Sequence, residues 1–149
     1  MRSEQLATLQ ARAYQDMAPW SARDFDDLLT QPTALLVSRP HAFCLGRVII
    51  DEAEILALAT DPDHQRRGLG TDILTRFESQ AKVRGAVRIF LETAATNSRA
   101  RAFYANFGYV NTGLRKGYYA QPDGSRIDAV LMMRNLSLLT APRSDQLQI

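Results

Sequence analysis

Apolar and polar positions along this chain recur with two periods, and each change of period marks an element. Between Ser3 and Gln15, Leu6, Leu9 and Ala13 fall at spacings of three and four and Met17 continues the stripe, which predicts a helix. Pro19-Trp20-Ser21 breaks it. Ser21 followed by Asp24 resembles a capping box, ahead of Phe25, Leu28 and Leu29 on one face of a second helix that Gln31-Pro32 ends. Three strand-like runs follow, Thr33 to Val37, Ala42 to Ile50 and Ala53 to Thr60. The breaks between them, Arg39-Pro40-His41 and Asp51-Glu52, are short enough for antiparallel turns.

After the turn Asp61-Pro62-Asp63 the helical period returns. Leu69, Ile73, Leu74, Phe77 and Ala81 mark a helix from Gly68 to Arg84, with Gly85 where a C-cap belongs. Val87 to Thr93 is apolar on both faces and so predicts a central, buried strand. Asn97 to Phe107 is a further helix ended by Gly108. Tyr109 to Leu114 and Ile127 to Met133 are strands separated by a loop containing Pro122-Asp123-Gly124. The order predicts a single-domain α/β fold over residues 1–136: a mixed, mostly antiparallel central sheet flanked by helices, with an antiparallel meander and a right-handed βαβ crossover into the buried strand. Residues 137–149 are polar and Pro-interrupted and read as a loose tail.

Composition narrows the chemistry. With 149 residues, 46% of them hydrophobic and 23% charged, the chain suits one folded domain and not a disordered one. Cys44 stands alone, which excludes an internal disulfide, and in Ala42-Phe43-Cys44-Leu45 it reads as a small core residue. His41 and His64 stand too far apart in sequence to suggest a zinc pair, His64 reads as solvent-facing, and no metal is expected. No apolar run approaches the ~20 residues of a membrane span and no signal-peptide pattern opens the chain, so a reduced, cytoplasmic protein without membrane contact is expected. The net charge is +2, from 18 Lys plus Arg against 16 Asp plus Glu. The basic residues are scattered, with Arg66-Arg67 and Arg115-Lys116 the only adjacent pairs, which is not a nucleic-acid footprint. No Gly-x-Ser-x-Gly elbow supports a serine hydrolase.

The segment that carries chemistry is Gln65-Arg66-Arg67-Gly68-Leu69-Gly70, between a strand and a helix. Two glycines let backbone approach a ligand and aim successive N–H groups into one concavity, to which the helix adds its positive dipole end. Ile73 in place of a third glycine rules out a dinucleotide fingerprint, and no Gly-Lys-Ser/Thr follows to make a Walker loop. Taken alone, the two glycines better suit a tight strand-to-helix turn; the flanking Arg66 and Arg67 and a second feature lift the ligand reading. About 25 residues on come Phe90-Leu91-Glu92-Thr93, Asn97 and the run Ala102-Phe103-Tyr104 with Phe107-Gly108-Tyr109.

Together these residues resemble the signature of the GNAT N-acetyltransferase family. Pro19-Trp20-Ser21, Asp51-Glu52-Ala53, Asp61-Pro62-Asp63, Leu91-Glu92, Tyr118-Tyr119 and Asp128-Ala129 are similar, at finer grain, to members that acetylate the N-terminal alanine of a small-subunit ribosomal protein. The resemblance implies acetyl-CoA as cosubstrate. Arg66, Arg67, Gly68, Leu69, Gly70 and Thr71 would hold its pyrophosphate, Leu58, Ala59 and Thr60 would line the pantetheine arm at a splayed strand, and Asn97 would touch the cofactor. It also implies Glu92 as general base and Tyr104 as general acid. The family usually opens on a strand, where Met1 to Gln15 here reads as helix.

Each role has a physical reason. Acetyl transfer from a thioester needs a neutral amine, a place for the oxyanion and a proton for the departing thiolate. Glu92 shares a strand face with Phe90 and Arg88, and partial burial would strengthen it as a base; an ion pair with Arg88 or another arginine is the alternative. Tyr104 is protonated at neutral pH. Phe103 and Phe107 would form the core stripe of their helix and turn Tyr104 partly off it. Asp24, Asp26, Asp27, Asp51, Glu52 and Glu54 could attract an arginine-rich acceptor peptide or be solvated surface. Two other readings stand: a family member acting on a small-molecule amine or a protein lysine, and a non-catalytic acyl-CoA- or nucleic-acid-binding module.

Overall fold

A computed structural model describes residues 1–14, 19–65 and 67–136. Arg66, predicted to hold a pyrophosphate, and the predicted tail 137–149 lie outside the described residues.

Two helices open the chain, α1 (Ser3–Ala13) and α2 (Ala22–Leu29). Local chemistry sets the start of α2: Ser21 and Asp24 form the reciprocal capping box, and Trp20 before the cap packs its ring 5.3 Å from that of Phe25 as a hydrophobic staple. The meander follows as β1 (Ala34–Arg39), β2 (Ala42–Ile49) and β3 (Glu52–Thr60). Next come α3 (Leu69–Val83), β4 (Arg88–Ala94), α4 (Ser98–Asn106), β5 (Val110–Ala120) and β6 (Arg126–Asn135). The six strands make one sheet in the order β1-β2-β3-β4-β6-β5, antiparallel throughout except for β3 with β4. The strand apolar on both faces, β4, is therefore interior.

Each face has its own core. Leu6 and Leu9 of α1 and Phe25 of α2 cover Phe43, Leu45, Ala57 and Ala59 on the β1–β3 half of one face. On the other face Ile73, Leu74, Phe77 and Ala81 of α3 and Tyr104 of α4 pack against Cys44, Ile55, Ile89, Leu91, Val130 and Met132. The predicted elements match these closely except β5. That strand was expected to stop at Leu114 and runs to Ala120, with a register irregularity between Arg115 and Tyr119 where Gly117 takes φ +58°. As the edge strand it is exposed along most of its length, so no alternation announces it.

Candidate functional site

One extra residue creates the site. Between β2 and β3 the register shifts: Leu45 faces Ala57 and Gly46 faces Ile55, so Leu56 is bulged out of β3. Gly46 is required there, because a β-carbon would lie 2.2 Å from the Glu54 carbonyl and 2.5 Å from the Phe77 ring. The bulge transfers the buried positions of β3 from the α3 face, Ala53 and Ile55, to the α1 face, Ala57 and Ala59. It also bends the strand. Parallel pairing with β4 ends at Ile55–Leu91, although both strands continue. Beyond that point β3 and β4 diverge and leave a gap in the sheet.

At the mouth of the gap α3 begins. Gly68 is its N-cap at φ +77°, in the left-handed region, and supplies no side chain to cap the helix. The first intrahelical bond runs from Asp72 N–H to the Gly68 carbonyl, so the amides of Gly68, Leu69, Gly70 and Thr71 have no partner within the helix. With the dipole of a 15-residue helix behind them they present the partial positive charge that an anion would need. Arg67 is exposed beside it and makes no ion pair among the described residues. Of the β3 residues predicted to line an arm, Leu58 turns its N–H and C=O into the gap. Alternation along the strand turns the backbone groups of Ala59 toward β2 instead, so Ala59 contributes its buried side chain and not its amide. The Thr60 carbonyl accepts from Gln65 Nε2 at 3.4 Å, and Gln65 Oε1 accepts from Arg99 at 2.9 Å, which ties the loop to α4.

Glu92 and Tyr104 lie on opposite faces of the sheet. Ile89 and Leu91 point to α3, so Glu92 stands with Phe90 on the other side, part-buried. Its ion-pair partner is Arg115 of β5, at 3.4 Å, while Arg88 pairs with Glu52. Arg115 also lies over the Tyr118 ring at 5.2 Å. Tyr104 differs from expectation: it is a core residue, 7% exposed, and Phe103 and Phe107 are the partly exposed pair. The ring of Tyr109, which follows the helix, meets that of Tyr104 edge-on at 5.5 Å. Its hydroxyl makes no hydrogen bond among the described residues, and burial pushes its pKa well above the usual tyrosine value. Asn97 is the N-cap of α4, its Oδ1 accepting from Ala100 N–H at 3.1 Å.

Several groups escaped the sequence. The two histidines, far apart in the chain, stack with ring centroids 3.6 Å apart because β2–β3 pairing sets Ala42 opposite Thr60. His64 is therefore half-buried rather than solvent-facing. Donor atoms of His41, His64 and Asp61 lie within 4.8 Å of one another. The rings are parallel within 7°, so their in-plane lone pairs do not converge on one point, and Asp61 Oδ2 already holds Arg12 at 2.9 Å. Arg12 also holds Asp63 at 2.8 Å, so this cluster straps α1 to the turn preceding the anion site. Burial pushes the Cys44 thiol well up, which keeps it protonated and unreactive. Of the acids considered for attracting a peptide, Asp51, Glu52 and Glu54 stand toward the far end of β3, about 13 to 23 Å along the strand from Leu58. Asp24 caps α2 and Asp26 accepts from Ser3.

Comparison with known proteins bears on this arrangement. The family model described as "Acetyltransferase (GNAT) family" matches residues 4–109. The [ribosomal protein bS18]-alanine N-acetyltransferase of Escherichia coli is 37% identical over 97 residues, 65% of this chain and 65% of that protein, so the match spans a little under two-thirds of that relative. The enzyme of the same name from Salmonella typhimurium is 37% identical over 100 residues, 67% of each chain. The crystal structure of the ribosomal-protein-S18-alanine N-acetyltransferase from E. coli superposes with a TM-score of 0.78 at 31% identity, covering 88% of this chain and 85% of that one.

Proposed function

We infer the reaction from one premise: this chain belongs to the acetyltransferase (GNAT) family. The reading is acetyl transfer from acetyl-CoA to a primary amine, with the N-terminal α-amine of an alanine on ribosomal protein bS18 as acceptor, after the activity that names its relatives. Such an acceptor places the enzyme in the cytoplasm; no helix among the described residues is long and apolar enough to cross a membrane. The observation that carries the reading is the gap between β3 and β4, with an uncapped helix N-terminus at its mouth and Glu92 and Tyr104 on its two sides.

The residues fit the cosubstrate. The four amides from Gly68 to Thr71, without a partner among the described residues, suit a pyrophosphate, with Arg67 beside them, and the Leu58 backbone pair suits an amide-bearing arm. Asn97 uses its oxygen as a cap and keeps its amide N–H groups for a ligand. When bound, acetyl-CoA supplies an acetyl group activated as a thioester. The chain supplies the proton handling. Glu92, on the face not covered by α3, accepts the proton of the incoming amine. Tyr104, held protonated by burial, returns one to the thiolate from the opposite face.

Amine chemistry favours an α-amine. Its pKa is ~7.7–8.0, so at pH 7 about a tenth is neutral, against about one lysine in 2,500 with pKa ~10.4. A carboxylate base therefore has far less to do for the first acceptor than for the second. The test follows CoA release with a peptide beginning Ala-Arg and with the same peptide N-terminally blocked and carrying an internal lysine. The first should react faster. Equal or faster reaction of the blocked lysine peptide, or of free polyamines, replaces this acceptor with a lysine or a small-molecule amine.

A further inference from the structure

Tyr14 closes α1, with its N–H bonded to the Gln10 carbonyl at 2.8 Å, and sends its side chain into the gap beyond the last β3–β4 pair. There its hydroxyl makes two hydrogen bonds to a single residue: it accepts from Leu58 N–H at 3.1 Å and donates to the Leu58 carbonyl at 3.0 Å. These two groups would have paired with β4 had the strands not diverged. An O–H that accepts from an N–H and donates to the C=O of the same residue copies what a secondary amide does when it lies along a strand edge. The pantetheine arm carries two secondary amides and ends in a thioester carbonyl. A ligand arm that uses Leu58 competes with Tyr14 for the same two groups.

We propose that Tyr14 is a gate on the acyl-arm slot, and that its hydroxyl and the amide or carbonyl of a bound arm exclude one another on Leu58. This rests on acetyl-CoA being the cosubstrate. The surroundings agree with it. Burial raises the pKa of the Tyr14 hydroxyl to about 12, so it keeps the proton it donates to the Leu58 carbonyl across the working range. Tyr104, on the opposite face, packs in one core with Cys44, which pairs with Leu58 across β2–β3. The slot is therefore flanked by one hydroxyl from each face, and only the Tyr14 hydroxyl is bonded to it. The helix beneath Tyr14 is strapped at Arg12 to Asp61 and Asp63, so rotation of the Tyr14 side chain opens the slot without moving α1. A state in which the slot is closed lowers apparent affinity in proportion to its population.

The experiment compares two probes on the whole chain and on Tyr14→Phe by calorimetry: acetyl-CoA, which has the arm, and ADP, which has the pyrophosphate without it. Loss of the gate should tighten acetyl-CoA binding by about fivefold, the scale of one net hydrogen bond, and leave ADP binding within about twofold. Unchanged or weaker acetyl-CoA binding by a folded Tyr14→Phe, or an equal shift for both probes, overturns the gate. Should the variant fold poorly, 3-fluorotyrosine placed at position 14 gives the same answer by fluorine NMR. Its resonance should move with saturating acetyl-CoA and stay with ADP, and a resonance indifferent to acetyl-CoA overturns the proposal. If the unmodified chain binds neither probe, the acetyl-CoA reading itself fails and takes the gate with it, an outcome distinct from binding without a Tyr14 effect.

Discussion

Gly70 allows the anion site to be tested apart from the fold. It is the second residue of α3, and its α-carbon faces the mouth of the gap: a β-carbon there would lie 3.4 Å from the Phe103 ring and 3.8 Å from Thr60 Oγ1, ordinary contact. No positive φ is needed, in contrast to Gly68. A side chain at Gly70 therefore costs the fold little, and most residues favour a helix over glycine by up to ~1 kcal/mol. The effect on a ligand is different. A phosphate oxygen bonded to these amides must come within about 2.9 Å of nitrogen, and the methyls of a valine would project into the space between α3, Thr60 and Phe103 that it needs. Gly70→Val should weaken acetyl-CoA binding by more than tenfold, ~1.4 kcal/mol, with the melting temperature nearly unchanged. Calorimetry reads the first and a thermal melt the second. Gly68→Ala supplies the contrast: its β-carbon meets nothing within 4 Å, but φ +77° strains any other residue by about 1–2 kcal/mol, which should appear as lost stability. Unchanged acetyl-CoA affinity in a folded Gly70→Val would refute the placement of the pyrophosphate on α3.

Other expectations follow from the same geometry. Tyr104→Phe should cut turnover while leaving acetyl-CoA affinity within about twofold, since only proton return is lost; full turnover in that variant removes Tyr104 from the mechanism. Asp61→Asn should flatten the acid limb of thermal stability. The Asp61 carboxyl is held below its usual value, first by the Asp63 N–H and then by Arg12, so its contribution is complete above the unfolded pKa of about 4 and is lost as pH falls through the lower folded value. Melting temperatures of the two proteins between pH 3 and 7 check this, and parallel curves would contradict it. Phe77→Ala should cost about 3–5 kcal/mol in urea unfolding, because Phe77 is fully buried and supports Gly46 at the bulge.

How far the site was visible in the sequence depends on whether its causes are local. The capping box at Ser21, the glycine at the start of α3 and the continuous apolar run of β4 act within a few residues, and their elements form where expected. Tyr104 departs from the expected stripe because it packs into the core of the α3 face and against Tyr109, beyond the end of its helix, and helical spacing carries no trace of those contacts. His41 and His64 stack through a strand register that sequence separation conceals. Arg115 reaches Glu92 from the half of β5 beyond Leu114, and neither that continuation of the strand nor the kink at Gly117 has a hydrophobic period to reveal it. Tyr14 lies at a helix end, and its partner is backbone, which no residue type announces.

The position of β5 bears on a different property, the tendency of copies of this chain to stick together. It is the last strand of the sheet, 11 residues long, and among the described residues nothing pairs with its outer side. It also displays Val110, Leu114 and Tyr118, each close to half exposed. A strand of that length and composition would template another molecule, were it not for Arg115 and Lys116 in its middle and the kink at Gly117 just after them. The arginine that holds Glu92 from within the site is, seen from outside, half of the charge that stops the sheet from growing. Neutralising Lys116 alone would therefore test the edge without touching the partner of Glu92.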